Sequence, residues 1–415
     1  MSLTLEVLDS LAEIPAPAWD ALVGDACPFL EHAFLWGLEA SGCVGGSTGW
    51  MPRYVVARRA GVLVGALPAY QKTHSHGEFI FDFGWAEAAA RAGLRYYPKL
   101  VVGSPFSPVG GRRFLVGSSG DDVRTALVGQ LQRLARTERA SSIHWLFITE
   151  EEASFLEARG FAIRHTHQFH WHNEGFATFD DFLERFRSDR RNQIRRERRT
   201  VAEAGITTRV LTGDALTEGD EALAWACYVS TVEKFPWGNL YLNRDFFTHL
   251  FKHFRHRISL VKASIQGRDV ACALNIQKGA HLYGRYWGCL EEHRNLHFEV
   301  CSYAGIEHAI THGLQTFEAG AGGGGHKFGR GFLPRRTWSA HEIFHPALDR
   351  GVRTFLEQER LGLEAELAAI EGAVLKPTLI AISQGPGGCE AEPGETNSTD
   401  CERVPELEEE KEERK

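Results

Sequence analysis

The sequence has little of what marks membrane-spanning, secreted or zinc-dependent proteins. It contains no run of about 18 apolar residues, so no segment reads as a transmembrane helix. Its N-terminus lacks the basic start and apolar core of a signal peptide, and it is not Arg- and Ser-rich like a transit peptide. The eight cysteines form no C-x-x-C pair, which favours reduced core thiols over disulfides or a metal site. A soluble, cytoplasmic protein is therefore expected.

An excess of basic charge is also absent. The net charge is −8, but the stretch from Gln384 onward alone holds eleven acidic and four basic residues. The remainder is close to neutral, so charge gives no reason to expect DNA or a membrane surface as a partner. The stretch 384–415 is rich in Gly, Pro, Glu and Ser without periodicity, and it is predicted to be a disordered acidic tail.

What is present is ordinary globular sequence with an internal repeat. At 415 residues and 43% apolar content, the chain is long enough for two domains. Two predicted β-hairpins, each followed by Gln-Lys, recur about 206 residues apart, which indicates a duplication. Their strands are Tyr54–Ala57 with Val62–Tyr70, and Ile258–Ser264 with Val270–Ile276.

Helical and strand patterns alternate along the rest of the chain, which favours an α/β fold with mixed sheets flanked by helices. An aromatic-rich strand is predicted over Glu78–Trp85 and a single helix over 179–204. Toward the C-terminus, a strand (His281–Gly288), a helix (Phe298–Thr311) and a short strand (Gln315–Ala319) lead into a glycine-rich loop.

The glycine-rich loop, Gly320–Gly331, does not match a phosphate-binding loop. A P-loop requires G-x-x-x-x-G-K-[ST] ahead of a helix. Gly320 and Gly325 have this spacing, but His326 stands at the lysine position and Phe328 at the hydroxyl position. A strand, and no helix, is predicted to follow. A G-x-G-x-x-G match within a run of glycines has no specificity, so both nucleotide motifs are rejected.

The polar residues beside this loop suit acyl transfer to an amine, which needs a proton acceptor and a donor for the carbonyl oxygen. Glu318 ends the short strand and is the candidate catalytic base, with His326 sharing the proton relay. Lys327 and Arg330 are candidates for binding an oxyanion or a phosphate of the donor. The alternative is a structural Glu318–Arg330 ion pair beside glycines that only turn the chain.

Large and polar groups occupy both faces of the predicted strand His281–Gly288, which favours a strand that lines a cleft. The candidate substrate-binding residues are Tyr283, Arg285, Trp287, Trp237, Glu299 and Lys99. Glu299 lies at the start of a helix, where the helix dipole favours a carboxylate and where ordinary capping is an equally simple explanation.

A basic segment, Arg187–Arg199, contains seven arginines in thirteen residues. Arginine grips phosphate through two parallel hydrogen bonds, so this segment is a candidate anion clamp, with Arg195 and Arg199 as contacts to the donor. The alternative is a solvated helix face with local Arg–Glu pairs.

Four histidines close in sequence, at positions 165, 167, 170 and 172, suggest metal binding. On a strand, 165 and 167 share one face, and 170 and 172 share the other. No cysteine or carboxylate completes a ligand set, so no metal site is predicted.

Several runs of the sequence form a recognisable pattern. The longer ones are Leu282–His293, Leu296–Tyr303, Phe317–Ala321 and His326–Pro334; shorter ones are Phe81–Ala86, Gly93–Leu100, Phe169–Gly175 and Asn192–Arg199. Together they resemble the FemAB-like family of the GNAT acyltransferase superfamily, over roughly residues 15–370.

The resemblance implies two tandem GNAT-like domains, 1–172 and 173–375, with the active site in the second domain facing the interdomain cleft. It also implies transfer of an acyl or aminoacyl group to a small-molecule or peptide-like amine, in peptidoglycan-like metabolism. Acyl-CoA is the donor that the superfamily suggests, and aminoacyl-tRNA is the donor that kinship with the Fem transferases suggests.

Two departures from the family pattern keep other functions open. The family usually reads Glu-Ala-Gly-Ala-Gln-Gly-Glu-His-Lys, whereas here glycines replace the Gln and the second Glu, and one residue is added. The GNAT pyrophosphate signature, [Gln/Arg]-x-x-Gly-x-[Gly/Ala] before a helix, is also missing. A non-catalytic ligand-binding protein with a degenerate site is therefore the alternative to an acyltransferase, and a tRNA-dependent transferase is a further one.

Overall fold

The computed structural model describes residues 2–25, 27–117, 120–234, 239–321 and 324–370. Trp237, Gly322, Gly323 and the predicted tail over 384–415 lie outside these residues. Strands and helices alternate along the described chain, so the predicted α/β class is confirmed. No described helix is both long enough and apolar enough to cross a bilayer.

The described residues form fourteen strands of three to eleven residues. They are β1 (Leu3–Leu8), β2 (Trp50–Pro52), β3 (Tyr54–Arg59), β4 (Val62–Leu67), β5 (Ala69–Lys72), β6 (Lys99–Val102), β7 (Ser142–Ile148), β8 (Ala162–His172), β9 (Ile206–Thr212), β10 (Ile258–Ile265), β11 (Arg268–Lys278), β12 (His281–Cys289), β13 (Thr316–Glu318) and β14 (Leu333–Ile343).

Thirteen α-helices accompany these strands in the described residues. They are α1 (Ala16–Val23), α2 (His32–Ala40), α3 (Phe83–Arg91), α4 (Asp121–Thr137), α5 (Glu150–Glu157), α6 (Phe179–Leu183), α7 (Ser188–Glu203), α8 (Glu218–Val232), α9 (Arg244–His253), α10 (Leu296–Phe298), α11 (Ala304–Thr311), α12 (Gly324–Phe328) and α13 (Pro346–Ile370).

Local sequence explains where several of these elements begin and which face they bury. Thr149, Thr178 and Thr217 each accept a hydrogen bond from the third helical residue, whose carboxylate accepts one in return, and so start α5, α6 and α8. The apolar run of β7 is buried along its whole length, as expected for a strand covered on both faces.

One sheet of eleven strands runs through the described chain, in the order β2-β5-β6-β7-β14-β8-β13-β12-β11-β10-β9. Its two ends repeat one pairing scheme: β5–β6 and β11–β12 are antiparallel, and β6–β7 and β12–β13 are parallel. At the centre the halves exchange strands, because β8 pairs with β13 and β14 pairs with β7. This symmetry agrees with the predicted duplication, and both predicted hairpins are confirmed as β3–β4 and β10–β11.

The first hairpin lies outside the large sheet, in a three-stranded sheet ordered β1-β3-β4. Pro68, which has no backbone N–H to donate, separates β4 from β5, and β5 joins the large sheet. The second hairpin is uninterrupted and stays within the large sheet.

The two halves share a core. Phe34 packs edge-on against Phe246, with ring centroids 5.5 Å apart, and Glu31 forms ion pairs with Arg257 at 2.8 Å and Lys278 at 2.7 Å. The described residues up to 370 accordingly form one compact unit. The proposed domain boundary between residues 172 and 173 stays a prediction.

The strand predicted over Glu78–Trp85 is wrong. Its first part is a loop, and Phe83 begins α3. Glu78 and Asp82 both turn inward to the buried amine of Lys99, which overrides the β-propensity of the aromatic residues between them.

Two predictions around the basic segment and the glycine-rich loop also need correction. The single helix over 179–204 is two helices, because Phe186 turns into the core and α7 begins anew at Ser188. A short helix, α12, begins at Gly324 inside the glycine-rich loop, where no helix was predicted, and it precedes β14. Lys327 holds this turn by donating to the Gly320 carbonyl at 2.8 Å, a side-chain contact within the loop that offsets the low helix propensity of glycine.

The ends of the two parallel strand pairs differ between the halves. Beyond β6, residues 103–109 are buried beside the end of β7. Arg113, fully buried, fastens this segment by donating to the carbonyls of Leu146, Gly111 and Val109. The equivalent position beyond β12 and β13 contains a cavity.

Candidate active site

The parallel strands β12 and β13 separate after three residue pairs, the last being Tyr283 with Glu318. Two glycines allow this close crossing. A Cβ on Gly284 would lie 3.2 Å from the Glu318 carbonyl oxygen, and one on Gly320, whose φ is +79°, would lie 3.0 Å from the Gly284 carbonyl oxygen. Beyond this point β12 continues along β11, and the chain after β13 turns away. We call the opening between them the fork.

The fork contains a cavity of about 270 Å³. Its walls come from β11, β12, the helical segment after β12, and the glycine-rich loop with α12. The lining residues are Ala273, Asn275, Gly284, Arg285, Tyr286, Trp287, His297, Cys301, Ser302, Ala319, Ala321, His326 and Lys327. Arg285, Trp287, His326 and Lys327 are thus brought together as candidates that the sequence had singled out.

Glu318, the last residue of β13, lies at the base of the fork. Its side chain is 11% exposed, and its Oε2 has no hydrogen-bond partner among the described residues. Burial raises the pKa of Glu318 to about 8, although Arg285 and Arg113 act in the opposite direction. The carboxyl is therefore largely protonated at pH 7, and it becomes a base when a bound group favours its ionised form.

Arg285 connects the fork to the first half of the chain. Its guanidinium lies over the Phe29 ring, 5.1 Å from the centroid, and donates to the Phe106 carbonyl. Tyr283 packs edge-on against the same Phe29 ring at 5.6 Å and does not line the cavity. Tyr283 therefore serves as a wall between the halves, and Arg285 is the residue of this strand that presents charge to the cavity.

α12 and the residues just after it supply a cavity-facing pair and a buried anchor. His326 lies against the rings of His297 and Phe298, with centroids 5.7 and 6.2 Å away, and burial lowers its pKa. Burial lowers the pKa of Lys327 to about 8, so its amine is mostly protonated at pH 7. Both side chains line the cavity.

Arg330 is the buried anchor, and the structural alternative that paired it with Glu318 is wrong. It donates instead to both carboxylate oxygens of Glu197 on α7, at 2.8 and 2.9 Å, and it stacks 3.2 Å from the Phe298 centroid. Tyr303 donates to the same carboxylate. Arg330 thereby fixes the end of α12 and is already paired.

A π-helical turn, Glu299–Tyr303, joins α10 to α11 at the cavity wall. A π turn holds more residues than an α turn, so neighbouring side chains can share one face. Here Cys301 and Ser302 both reach the cavity, one turn after His297. Glu299, at the first position of the turn, faces away from the fork.

Glu299, Arg195 and Arg199 line a different cavity, of about 470 Å³, between α7 and the helical segment after β12. There Arg198 donates to both oxygens of Glu299, at 3.1 and 3.0 Å, and Arg195 forms an exposed ion pair with Asp180 at 3.0 Å. The structure thus separates these three predicted site residues from the fork, and much of the basic segment pairs locally.

Lys99 is likewise remote from the cavity in the fork. It is fully buried in the first half and donates to Glu78 at 2.7 Å and to Ser75 at 2.9 Å. Burial disfavours its charge, but Glu78 and Asp82 raise its pKa above the ordinary value. Lys99 therefore holds the loop before α3 through its buried pairs, and it does not line the cavity in the fork.

Three residues near the fork were not predicted from the sequence as functional residues of this site: Arg113, Asn275 and His170. Arg113 lies close enough to lower the pKa of Glu318, yet its sequence context gives no signal. Asn275 is 2% exposed at a β-bulge opposite Gly284, and its Nδ2 has no partner among the described residues. A polar residue inside the apolar run of β11 was the signal for it. His170 was considered only as a metal ligand.

Within the described residues, no three His, Cys, Asp or Glu side chains are grouped as metal ligands. The four histidines lie on one strand, β8, as predicted from the sequence. His170 and His172 are neighbours with ring centroids 6.4 Å apart.

Comparison with solved structures shows a fold that other proteins share. FemX aligns with a TM-score of 0.51 and 14% identity, covering 85% of this chain and 100% of FemX. A conserved protein of unknown function from Bacteroides thetaiotaomicron aligns with a TM-score of 0.50 and 12% identity, covering 81% and 99%. A tandem GNAT protein from the clavulanic acid biosynthesis pathway aligns with a TM-score of 0.41 and 14% identity, covering 83% of this chain and 99% of that protein. These likenesses concern the fold.

Comparison of the sequence itself gives the family. No curated protein matches. The sequence model of the FemAB-like family, described as peptidoglycan biosynthesis/recognition, matches residues 10–375. That span includes both halves of the large sheet and the whole of the fork. The resemblance seen in the sequence motifs is thus confirmed, and this chain belongs to the FemAB-like family.

Proposed function

We propose that this chain is an N-acyltransferase that carries an acyl or aminoacyl group to an amine acceptor of peptidoglycan-like metabolism. The observation that carries the proposal is Glu318, a buried carboxyl with an unpartnered oxygen where two parallel strands separate beside a cavity. Perturbed carboxyls in such positions are typical of proton-transfer sites. The description of the family supports the class of acceptor.

The reaction that suits this geometry is attack of the acceptor's amine nitrogen on the donor's carbonyl carbon. A C–N bond forms, the bond from the carbonyl carbon to the leaving sulfur or oxygen breaks, and the nitrogen loses one proton. Glu318 in its ionised form accepts that proton, and the leaving group takes up one proton. Because the pKa of Glu318 is about 8, the proton transfer is close to balanced near neutral pH.

Lys327 is the cation best placed to stabilise the donor. Its ammonium donates to the backbone carbonyls of Gly320 and Ala321, at 2.8 and 3.4 Å, and it lines the cavity. A cation in this position favours the carbonyl oxygen as that oxygen gains negative charge, or a phosphate of the donor. Arg330 supports it indirectly, through the Glu197 pair that fixes α12.

Arg195 and Arg199 remain candidates for the distal anionic part of a large donor. Both lie on α7, and Arg190 at the start of that helix approaches Gly329, just beyond α12. A donor that extends from the fork across Gly329 would pass along this basic helix. Such an extension suits acyl-CoA and aminoacyl-tRNA, which both carry phosphates.

We assign the acceptor to a second cavity, of about 340 Å³, which is connected to the fork through Phe106. Its walls include the rings of Trp50, His76, Phe106 and Tyr241, with Phe106 and Tyr241 stacked at 5.1 Å. Phe106 is shared between the two sites, since its carbonyl accepts a hydrogen bond from Arg285 in the fork. We place the acceptor amine here, with its nitrogen directed past Arg285.

The experiment is a transfer assay on the full chain with a panel of acyl-CoA and aminoacyl-tRNA donors and amine acceptors. Amide product is measured by mass spectrometry. Substituting Glu318→Gln is expected to lower kcat by about 100-fold or more. The matched control is Glu342→Gln, a half-buried carboxyl on β14 that accepts from Gln132, and full activity is expected for it.

Two other outcomes would assign a different function. Saturable ligand binding with no amide product from any donor would support the non-catalytic binding protein. Product from aminoacyl-tRNA alone, with binding that weakens steeply as salt rises, would support the tRNA-dependent transferase.

A further inference from the structure

We propose that His170 is the residue that positions Glu318 and supports its ionised form, a role that rests on the proposed function of Glu318 as the base. His170 belongs to β8, the strand that the first half contributes to the centre of the sheet. It is the direct cross-strand neighbour of Glu318 in the register between β8 and β13. The base and its supporting group therefore come from opposite halves of the chain.

The geometry points to an interaction that is nearly formed. His170 Nε2 and Glu318 Oε2 face one another at 3.9 Å, and neither atom has a hydrogen-bond partner among the described residues. The two side chains are 13% and 11% exposed, so water gives them little compensation. Two buried polar atoms left facing each other are uncommon in folded proteins and call for an explanation. A neutral N–H donor moves toward a carboxyl oxygen when that oxygen becomes charged, so the bond closes as Glu318 ionises, with or without substrate.

The chemistry of the pair favours a neutral donor beside a carboxylate. Burial lowers the pKa of His170 to about 3, with further contributions from His172, Arg335, His281 and Lys327. At neutral pH the imidazole is uncharged, and its Nε2–H tautomer donates one hydrogen bond. That bond stabilises the ionised carboxyl without placing a second charge in the fork.

The other charged groups near Glu318 act on it without a hydrogen bond, so His170 is the candidate donor. Arg285 on β12 and Arg113 from the first half lower its pKa from a distance, and no hydrogen bond joins either one to the carboxyl within the described residues. Burial is the main cause that raises the pKa values of Tyr283 on β12 and of Cys27, and the charge of Glu318 raises both further.

His326, the partner expected from the sequence, is engaged elsewhere in this structure. Its ring packs against His297 and Phe298 at the cavity wall. His170, by contrast, has its Nε2 aimed at the carboxyl. His170 on β8 is therefore the partner of Glu318, in place of His326 on α12.

The test measures the pKa of Glu318 without substrate, so that it stands apart from the transferase assay. The free energy of unfolding of the chain is compared with that of Glu318→Gln from pH 4 to pH 10, and the pH at which the difference levels off gives the folded-state pKa. The same pair is then measured in the His170→Phe and His170→Gln backgrounds. His172→Phe is the matched control, because His172 lies on the same strand face and contacts Arg335 instead.

We expect His170→Phe to raise the pKa of Glu318 by about 1. His170→Gln, which keeps an N–H donor, and His172→Phe should leave it within a few tenths. The acid limb of kcat/KM should move by the same amount as the pKa. An unchanged pKa in His170→Phe would overturn the inference, and His170→Leu replaces that variant if it does not fold. Absence of any transferase activity would overturn the proposed function and leave this titration valid.

Discussion

Replacing Glu318 with glutamine should make the protein more stable and less active at the same time. Glu318 has a folded pKa of about 8 against an ordinary value of 4.5. A carboxyl with a raised folded pKa contributes most stability below its unfolded pKa, and that contribution is lost as pH rises toward the folded pKa. The native state therefore pays a penalty for this residue that grows between pH 4.5 and pH 8.

The size of the penalty follows from the two pKa values. At about 1.4 kcal/mol per pKa unit, it reaches roughly 3 kcal/mol at pH 7 and about 5 kcal/mol above pH 8. A buried glutamine amide that finds no partner costs about 1–3 kcal/mol in return. The net gain for Glu318→Gln is therefore expected to be about 2–4 kcal/mol at pH 8.5, and it should turn into a loss of about 1–3 kcal/mol at pH 4.5, where only the cost of the glutamine amide remains.

The assay is urea unfolding followed by tryptophan fluorescence at pH 5, 7 and 8.5. Glu197→Gln is the matched control, since Glu197 is equally buried but holds Arg330 and Tyr303. Breaking that buried pair should destabilise the chain by about 3–5 kcal/mol. A loss of stability in Glu318→Gln at pH 8.5, or a gain that is the same at pH 5 and pH 8.5, would refute this reasoning.

Three further predictions concern Lys327 in the fork and two glycines elsewhere in the fold. Lys327→Met should raise the Kd of the donor by about 10- to 100-fold, because one charge-assisted contact is lost. Isothermal titration of the donor measures this, with Lys327→Arg as the variant that keeps the charge. An affinity of Lys327→Met equal to that of the unmodified chain would contradict the prediction. Gly288→Ala should destabilise the chain by about 3 kcal/mol or more, since its Cβ would lie 1.8 Å from the Cys227 carbonyl oxygen. Gly351→Ala, on an open face of α13, should instead be neutral or stabilising by up to about 1 kcal/mol in the same urea unfolding assay; a similar loss at both glycines would contradict the packing argument.

Much of the fold could be predicted because local patterns and the overall fold agree in these segments. The two hairpins combine β-branched strands with turn-sized gaps, and their spacing revealed the duplication. The exchange of β8 and β14 between the halves could not be predicted, because strand order depends on long-range pairing that leaves no periodic trace. The Glu78–Trp85 strand failed for a similar reason, since Lys99 draws two of its carboxylates inward.

The candidate site divides along the same line. Glu318, Arg285, Trp287, His326 and Lys327 lie near one another in sequence and in space, so motif reasoning could find them. Residues that other elements bring in were missed or misplaced. His170 was considered for metals because its cross-strand neighbour could not be known, and Arg195, Arg199 and Glu299 were grouped with the fork although α7 gives them a cavity of their own.

The most direct test of Glu318 as the base is the pH dependence of kcat/KM for amide formation by the full chain and by Glu318→Gln. For the full chain we expect kcat/KM to rise tenfold per pH unit below an apparent pKa near 8. In Glu318→Gln we expect a rate at least about 100-fold lower at pH 8, with that limb lost and the fold intact. A Glu318→Gln variant that keeps both the rate and the acid limb would contradict the assignment of Glu318 as the base.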